Sequence, residues 1–193
     1  MASNEEGAQI ADPGPLGLAG FAATTFVLSL VNAGLVPKSV EPVVLPLALF
    51  YGGLAQLLAG MWEYRKNNTF GATAFGTYGS FWLAFALFVW VFSAKIPENE
   101  AAVATGLFLL VFTIFTAYMT IGALKTNAAL LAVFFFLFLT FLFLTIGEFG
   151  AEALGKIGGW LGLLTAILAW YTSFAGILKA TFKRDVLPVR PLS

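Results

Sequence analysis

This sequence offers hydroxyls, amides and isolated carboxylates for chemistry, and it lacks the residue types on which many enzymes rely. Its 193 residues include no cysteine and no histidine. Their absence excludes disulfides, thiol nucleophiles and imidazole acid–base chemistry. The remaining residues contain no nucleophile–base pair, no metal-ligand cluster and no phosphate-binding loop. We therefore expect a protein that is not an enzyme and that needs no cofactor and no metal.

The polar side chains of interest lie within long apolar stretches, where an unpaired polar group is costly. Gln56 lies seven residues before Glu63, so the two share one helix face, two turns apart. Thr24 and Thr25 point to different faces, while Ser29 shares the face of Thr25. A hydroxyl on such a helix either bonds back to a carbonyl one turn earlier or lines a path for a solute. The candidates for lining a path are Thr24, Thr25, Gln56 and Ser80.

Glu63 stands near the end of its apolar stretch and has two interpretations. In the first, its carboxylate reaches headgroup water and pairs with Arg65, Lys66 or a neighbouring subunit. In the second, it is a proton site at the mouth of the path. The sequence leaves a structural site and a proton site both open.

Six apolar stretches must position these residues, and each has the length of about 17–25 residues that a helix needs to cross a bilayer. The chain is 60% hydrophobic and only 10% charged, too few polar residues to cover a soluble fold. We therefore predict an all-α membrane protein, with a tail over residues 1–15, a six-helix transmembrane domain over 16–178 and a second tail over 179–193. The predicted helices cover residues 16–33, 43–62, 72–94, 101–124, 128–146 and 157–178.

The basic residues near the helix ends predict the orientation. With both termini in the cytoplasm, seven basic residues lie inside and three outside. We therefore expect an integral plasma membrane protein with both tails cytoplasmic. The net charge is zero and no basic stripe interleaves with aromatics, so we expect no nucleic-acid partner. The inside set is Arg65, Lys66, Lys125, Lys179, Lys183, Arg184 and Arg190, and the outside set is Lys38, Lys95 and Lys156.

Glycines and tryptophans recur in these stretches. Glycines such as Gly60 and Gly79 favour close helix packing, or alternatively make room for a narrow pore. Tryptophans, Trp82 among them, are interpreted in part as markers of the membrane interfaces.

Two sequence blocks carry a family resemblance. Residues 12–18 read Asp-Pro-Gly-Pro-Leu-Gly-Leu, which resembles the Asn-Pro-Ala-Pro-Leu-Gly-Leu signature of the acetate uptake transporters. The second block reads Asn-Thr-Phe-Gly over residues 68–71, and Tyr-Gly-Ser-Phe-Trp follows over 78–82. Similar spacing continues over essentially the whole chain. The family signature residues are Asp12, Pro13, Pro15, Asn68 and Thr69.

The resemblance implies a fold and a function. It implies a six-helix protomer similar to the urea channels, assembled as a homohexamer in which each protomer has its own path. By matching motifs, Phe21, Tyr78 and Leu137 form the central constriction. The implied substrates are acetate and other short carboxylates, with succinate in some members, moved through a channel or together with protons. From the residues alone, a urea- or amide-type channel and a non-transporting scaffold stay open as alternatives.

The sequence departs from the family pattern at two positions. Asp12 replaces the signature asparagine, and it still provides an oxygen that can cap the first helix. Asn67 replaces a glycine, and since asparagine tolerates the left-handed conformation, we expect the turn to be kept.

Overall fold

The structure is a computed structural model, and it describes residues 10–192. Residues 1–9 of the predicted N-terminal tail lie outside the described part. Within that part, six helices are long and apolar enough to cross a membrane, which confirms the predicted fold class. They are α1 (Gly14–Asn32), α2 (Lys38–Arg65), α3 (Thr69–Lys95), α4 (Glu98–Ala123), α5 (Ala128–Glu148) and α6 (Glu152–Phe182).

The last helix is longer at both ends than the 157–178 that the sequence predicts. It starts at Glu152, so Gly155 lies in its first turns and packs against α5. A Cβ on Gly147 of α5 would come 2.6 Å from the Gly155 Cα, so the absence of a side chain at Gly147 lets the two backbones meet. Gly150 makes the turn between the helices with a φ of +116°, a conformation that favours glycine.

Helix α2 changes its winding along its length, which the sequence does not predict. A 3₁₀ turn over Lys38–Val43 leads into an α-helical turn over Val44–Leu49. A wider π-helical turn follows over Phe50–Ala55, and the α-helix resumes over Gln56–Arg65. Helix α1 packs closely on the π turn, since a Cβ on Gly20 would come 2.5 Å from the Tyr51 carbonyl oxygen.

The six helices form a ring in sequence order, and α6 packs against α1 to close it. The backbones of α3 and α4 are in close contact at few positions. These two helices meet instead through aromatic side chains. The Phe81 ring lies 5.6 Å from the Phe108 ring and 4.6 Å from the Phe112 ring, between centroids. The middle of the ring is therefore filled largely by aromatic and aliphatic side chains, among them Phe21, Tyr78, Phe81, Phe134, Leu137 and Phe141.

Close helix packing explains the glycine pairs between α2 and α3. A Cβ on Gly60 would come 2.6 Å from the Gly76 backbone nitrogen, and one on Gly79 would come 2.7 Å from the Leu57 nitrogen. Of the two interpretations of these glycines, the structure supports helix packing at Gly60 and Gly79. The outer surface of the ring is apolar, with Trp90 70% exposed and Ile121 69% exposed.

Candidate functional site

Two cavities open at opposite ends of the helix ring. Cavity 1, of about 340 Å³, lies where α1, α3 and α5 begin, and its lining includes Asp12, Asn68 and Asn127. Cavity 2, of about 600 Å³, lies where the same helices end, and its lining includes Asn32, Ser93 and Glu148. The two cavities share Phe21 and Leu137 in their linings. These two side chains therefore lie at the boundary between the cavities.

The predicted constriction residues are brought together at this boundary, which we call the neck (Phe21, Tyr78 and Leu137). All three are buried, with exposed fractions of 4%, 3% and 2%. The centroids of the Phe21 and Tyr78 rings are 5.7 Å apart. The neck takes one residue from each of α1, α3 and α5, which run in the same direction.

The hydroxyl of Tyr78 is held at the back of the neck by α4. Its oxygen lies 2.8 Å from the Thr116 hydroxyl oxygen. The Thr116 hydroxyl donates to the Phe112 carbonyl at 2.7 Å, so the Tyr78 hydroxyl is the donor to Thr116. These hydrogen bonds fix the position of the Tyr78 ring. The sequence shows that Thr116 lies on α4, but it does not predict the hydrogen bond to Tyr78.

A buried carboxylate lies on the wall of cavity 1. Glu63 is 2% exposed, and its Oε2 accepts a hydrogen bond from the Asn68 Nδ2 at 2.8 Å. Gln56, predicted to share the face of Glu63, lines the same cavity and is 1% exposed. The partner of Glu63 is thus Asn68, and Lys66 pairs elsewhere.

Three of the five family signature residues, Asp12, Pro15 and Asn68, line cavity 1 at its rim. Asp12 accepts from the Gly14 amide at 3.0 Å and from the Lys66 Nζ at 2.8 Å, so it binds the first helical residue as predicted from its oxygen. Pro13 precedes α1, and the Pro15 carbonyl accepts a 2.6 Å bond from Ser173.

The turn before α3 is also part of this rim. Asn67 has a φ of +57°, which confirms that it keeps the left-handed turn. The Asn68 Oδ1 accepts from the Gly71 amide at 3.1 Å, and Thr69 begins α3 as an exposed residue outside both cavities.

The C-terminal segment completes the rim of cavity 1, which the sequence does not predict. The Ala128 amide donates to the Arg190 carbonyl at 2.8 Å, and the Tyr171 hydroxyl donates to the Pro188 carbonyl at 2.8 Å. The segment thus lies across the start of α5, and Leu187 and Val189 line the cavity.

One of the two threonines predicted to line the path lines cavity 2. Thr25 lines it together with Ser29, as their shared helix face predicts. Thr24 lies outside both linings, since its hydroxyl donates to the Gly20 carbonyl at 3.0 Å and the side chain packs on Gly52 of α2. Ser80 is exposed on the outer surface and donates to the Gly76 carbonyl at 2.8 Å. The expectation that Thr24 and Ser80 line the path is not met in this structure.

Over residues 10–192, three buried side-chain polar atoms lack a hydrogen-bond partner. They are the Thr25 Oγ1, the Gln56 Oε1 and the Trp82 Nε1. Gln56 lines cavity 1, and the other two residues line cavity 2. Trp82 is only 2% exposed, so it is not among the tryptophans on the outer surface that could mark an interface. The four-residue spacing from Tyr78 is the sequence signal that places it one turn past the neck.

The two cavities differ in charge. In cavity 1, Lys66 pairs with Asp12 and Lys179 pairs with Asp185, each at 2.8 Å. The charged residues that line cavity 2 in the described part of the chain are Lys38, Glu41, Glu98 and Glu148. Cavity 1 also holds Glu63, so carboxylates outnumber lysines by one in cavity 1 and by two in cavity 2. Over residues 10–192, no group of three or more histidine, cysteine, aspartate or glutamate side chains is placed to hold a metal ion.

A ring of six membrane-crossing helices with a cavity at each end and a narrow neck between them defines the class of membrane channels and transporters for small solutes. The chain belongs to the GPR1/FUN34/yaaH family, whose family model matches residues 2–193. This membership confirms the resemblance carried by the two signature blocks.

Individual relatives agree with this membership. The chain is 39% identical over 182 residues to the succinate-acetate/proton symporter SatP of Escherichia coli K12, covering 94% of this chain and 96% of that protein. It is 42% identical over 200 residues to acetate permease A of Emericella nidulans, covering 95% of this chain and 67% of the relative. It is 41% identical over 191 residues to ammonia transport outward protein 2 of Saccharomyces cerevisiae, covering 96% and 67%. The chain thus spans about two thirds of the length of these fungal relatives.

A solved structure shares the fold. It is that of the bacterial acetate channel SatP, which has a TM-score of 0.87 and 39% sequence identity to this chain. The match covers 94% of this chain and 99% of the other.

Proposed function

We propose that this protein moves acetate and related short carboxylates, succinate among them, across the membrane through the neck between the two cavities. The observation that carries the proposal is that Phe21 and Leu137 line both cavities, so one continuous path needs only the neck to open. The names of two relatives, acetate permease A and the succinate-acetate/proton symporter, supply the substrate class. The protein acts as a transporter and not as an enzyme.

The neck discriminates by desolvation. Its apolar side chains provide no charge to replace the hydration of an anion, so a bare carboxylate crosses it at a cost in free energy. A protonated acid crosses at a lower cost because it is neutral. Flux therefore rises as the pH on the supply side falls, whether or not protons are coupled to transport. Thr25 and Gln56 provide polar groups on the two sides of the neck.

Glu63 is the residue that we propose as the proton site. Its carboxylate lines cavity 1 and is bound by a neutral amide, whereas the nearby Lys66 is already paired with Asp12. A carboxylate with only a neutral partner can change its charge without breaking an ion pair. We expect Glu63→Gln to abolish uphill accumulation of acetate driven by a proton gradient, while downhill equilibration persists. Glu100→Gln, exposed and outside both cavities, is the control.

The first experiment is uptake of labelled acetate into liposomes containing the purified protein, with and without an inward proton gradient. Protein-free liposomes at the same pH control for acetic acid that crosses the lipid unaided. Uptake above that control supports the proposal, and accumulation beyond equilibrium that a protonophore abolishes assigns proton coupling. Uptake equal to the control would overturn it.

Competition separates the proposal from the alternative of a urea- or amide-type channel. Propionate and formate are expected to reduce labelled acetate uptake, and urea is not. A block by urea with no effect of propionate would favour the neutral-solute channel.

The arrangement in the membrane is part of the proposal. We propose that both tails, residues 1–15 and 179–193, face the cytoplasm, as the distribution of basic residues predicts, and that cavity 1 is therefore the cytoplasmic mouth. Since the chain has no cysteine, Lys183→Cys and Lys156→Cys each introduce a single label site. In right-side-out vesicles, an impermeant maleimide is expected to label Lys156→Cys and to spare Lys183→Cys.

We also propose a homohexamer, as the family resemblance implies. The broad apolar surface of the ring fits contacts with lipid and with neighbouring copies. Native mass spectrometry of the protein in detergent tests the count of subunits.

A further inference from the structure

Two unpaired hydrogen-bond donors lie on the cavity 2 side of the neck. Trp82 Nε1 and Thr25 Oγ1 are buried without a partner, and both residues line cavity 2. Resting on the proposed function, we infer that these two groups form a carboxylate subsite, in which the indole N–H and the threonine hydroxyl donate to the substrate oxygens.

The register of the helices places the two donors at one level. Thr25 lies four residues after Phe21 on α1, and Trp82 lies four residues after Tyr78 on α3. Because α1 and α3 run in the same direction, four residues carry each chain about one helical turn past the neck toward cavity 2. A carboxylate that has just crossed the neck, or is about to enter it, meets both donors.

The π-helical turn of α2 positions the indole. A Cβ on Gly52, within this turn, would come 2.9 Å from the Trp82 Cδ1, the carbon bonded to Nε1. The Trp82 ring also packs against the Phe81 and Phe85 rings, at centroid distances of 4.9 and 5.8 Å. The Cδ1 atom of the indole therefore lies against the backbone of α2 and leaves the ring little freedom to turn, and such π turns are frequent at functional sites.

The chemistry of the donors selects the class of ligand. An indole nitrogen can only donate, and a threonine hydroxyl can donate as well as accept. The hydroxyl of the neighbouring Thr24 already donates to the Gly20 carbonyl, whereas the Thr25 hydroxyl has no hydrogen-bond partner. A buried donor without a partner destabilises the fold. Two such donors beside the path match the two acceptor oxygens of a carboxylate, and a substrate bound there supplies the missing partners.

Binding is measured directly on the indole. The full-length protein, labelled with ¹⁵N at the tryptophan indole nitrogens, is titrated with sodium acetate in nanodiscs, with sodium chloride as the ionic-strength control. The Trp82 resonance, assigned by its loss in Trp82→Phe, is expected to move downfield and saturate, while that of the exposed Trp160 stays in place. A Trp82 resonance unmoved by acetate would overturn the subsite, even where the protein transports acetate.

Kinetics provide the second test. Trp82→Phe keeps an aromatic ring without the N–H, and Thr25→Val keeps the shape without the hydroxyl. A lost hydrogen bond to a charged oxygen raises the acetate KM by about tenfold in each variant. The controls are Trp160→Phe and Thr113→Val; Thr113 is equally buried but bonds to the Leu109 carbonyl, outside both cavities. An unchanged KM in both subsite variants, or a fall in maximal rate alone, would overturn the proposal.

The two tests also separate the subsite from the proposed transport. A Trp82 resonance that moves with acetate in a protein that carries no acetate would support the subsite and overturn transport. Acetate flux with normal KM values in Trp82→Phe and Thr25→Val would leave transport standing and overturn the subsite.

Discussion

At the residue scale, Asn68 joins the start of α3 to the buried carboxylate of cavity 1. Its Oδ1 accepts from the Gly71 amide, and its Nδ2 donates to Glu63. The single side chain thus caps a helix and supplies the partner that Glu63 needs. Asn127 offers a comparison, because its Oδ1 caps α5 by accepting from the Leu130 amide.

We expect Asn68→Ala to destabilise the protein by more than Asn127→Ala. Loss of a helix cap costs about 1 kcal/mol in either variant. Asn68→Ala also leaves the buried Glu63 without its partner, which adds about 1–3 kcal/mol. Unfolding midpoints in detergent at neutral pH measure the difference. Equal midpoints for the two variants would show that the Glu63 bond contributes nothing to stability.

A second residue-scale prediction concerns the width of the neck. Leu137→Ala removes the aliphatic side chain shared by both cavities and makes room for longer acids. At about 0.8 kcal/mol per methylene, uptake of butyrate relative to acetate is expected to rise by roughly tenfold. Liposome uptake of the two labelled acids measures the ratio. Leu163→Ala, buried in α6 away from both cavities, is the control. A ratio unchanged in Leu137→Ala would remove this residue from the neck.

The sequence predicted which polar residues matter for the site. It predicted less well which way their side chains point. Periodicity placed Gln56 with Glu63 and Thr25 with Ser29, and both pairs share a cavity. It could not choose between Thr24 and Thr25, since only the packing of α1 on α2 decides which one faces inward. Ser80 is two residues from Tyr78, about 200° around the helix, so it faces outward once Tyr78 faces the neck.

At the element scale, the contact between α2 and α3 depends on the glycine pair Gly60 and Gly76, in which only Gly60 has no room for a side chain. We expect Gly60→Ala to destabilise the protein by about 1–3 kcal/mol, because the added methyl meets the backbone of Gly76. Gly76→Ala is the matched control, because the nearest atom to a Cβ on Gly76 would be the Met61 Cε, at 3.9 Å. Helix propensity then favours this alanine by about 0.5–1 kcal/mol. Unfolding midpoints of the two variants are expected to move in opposite directions, and equal shifts would contradict the close contact.

The sequence predicted six helices but not the winding of α2. Apolar length and loop residues are enough to locate a membrane span, because any lipid-facing helix must satisfy its own backbone. The π turn over Phe50–Ala55 depends instead on what packs around it. Gly20, Thr24 and Trp82 lie against this turn from α1 and α3, and the sequence alone does not reveal those contacts.

At the scale of the whole molecule, the excess of carboxylates in cavity 2 is expected to oppose the approach of anions from that side. The double variant Glu41→Gln and Glu98→Gln removes two of these charges from the lining. We expect a lower acetate KM for flux that starts at cavity 2, with a larger effect at low salt because ions screen exposed charges. Flux assays at two ionic strengths measure it, and Glu152→Gln, exposed and outside both cavities, is the control. The same KM at both salt concentrations would contradict an electrostatic effect.

The apolar side chains of the neck have a consequence for the proton gradient across the membrane. Protons move quickly along unbroken chains of water molecules, and an apolar constriction of this kind breaks such a chain by dewetting. With Phe21 and Leu137 between the two water-accessible cavities, the protein does not offer a continuous water wire across the membrane. Many copies in one membrane are therefore compatible with a maintained proton gradient.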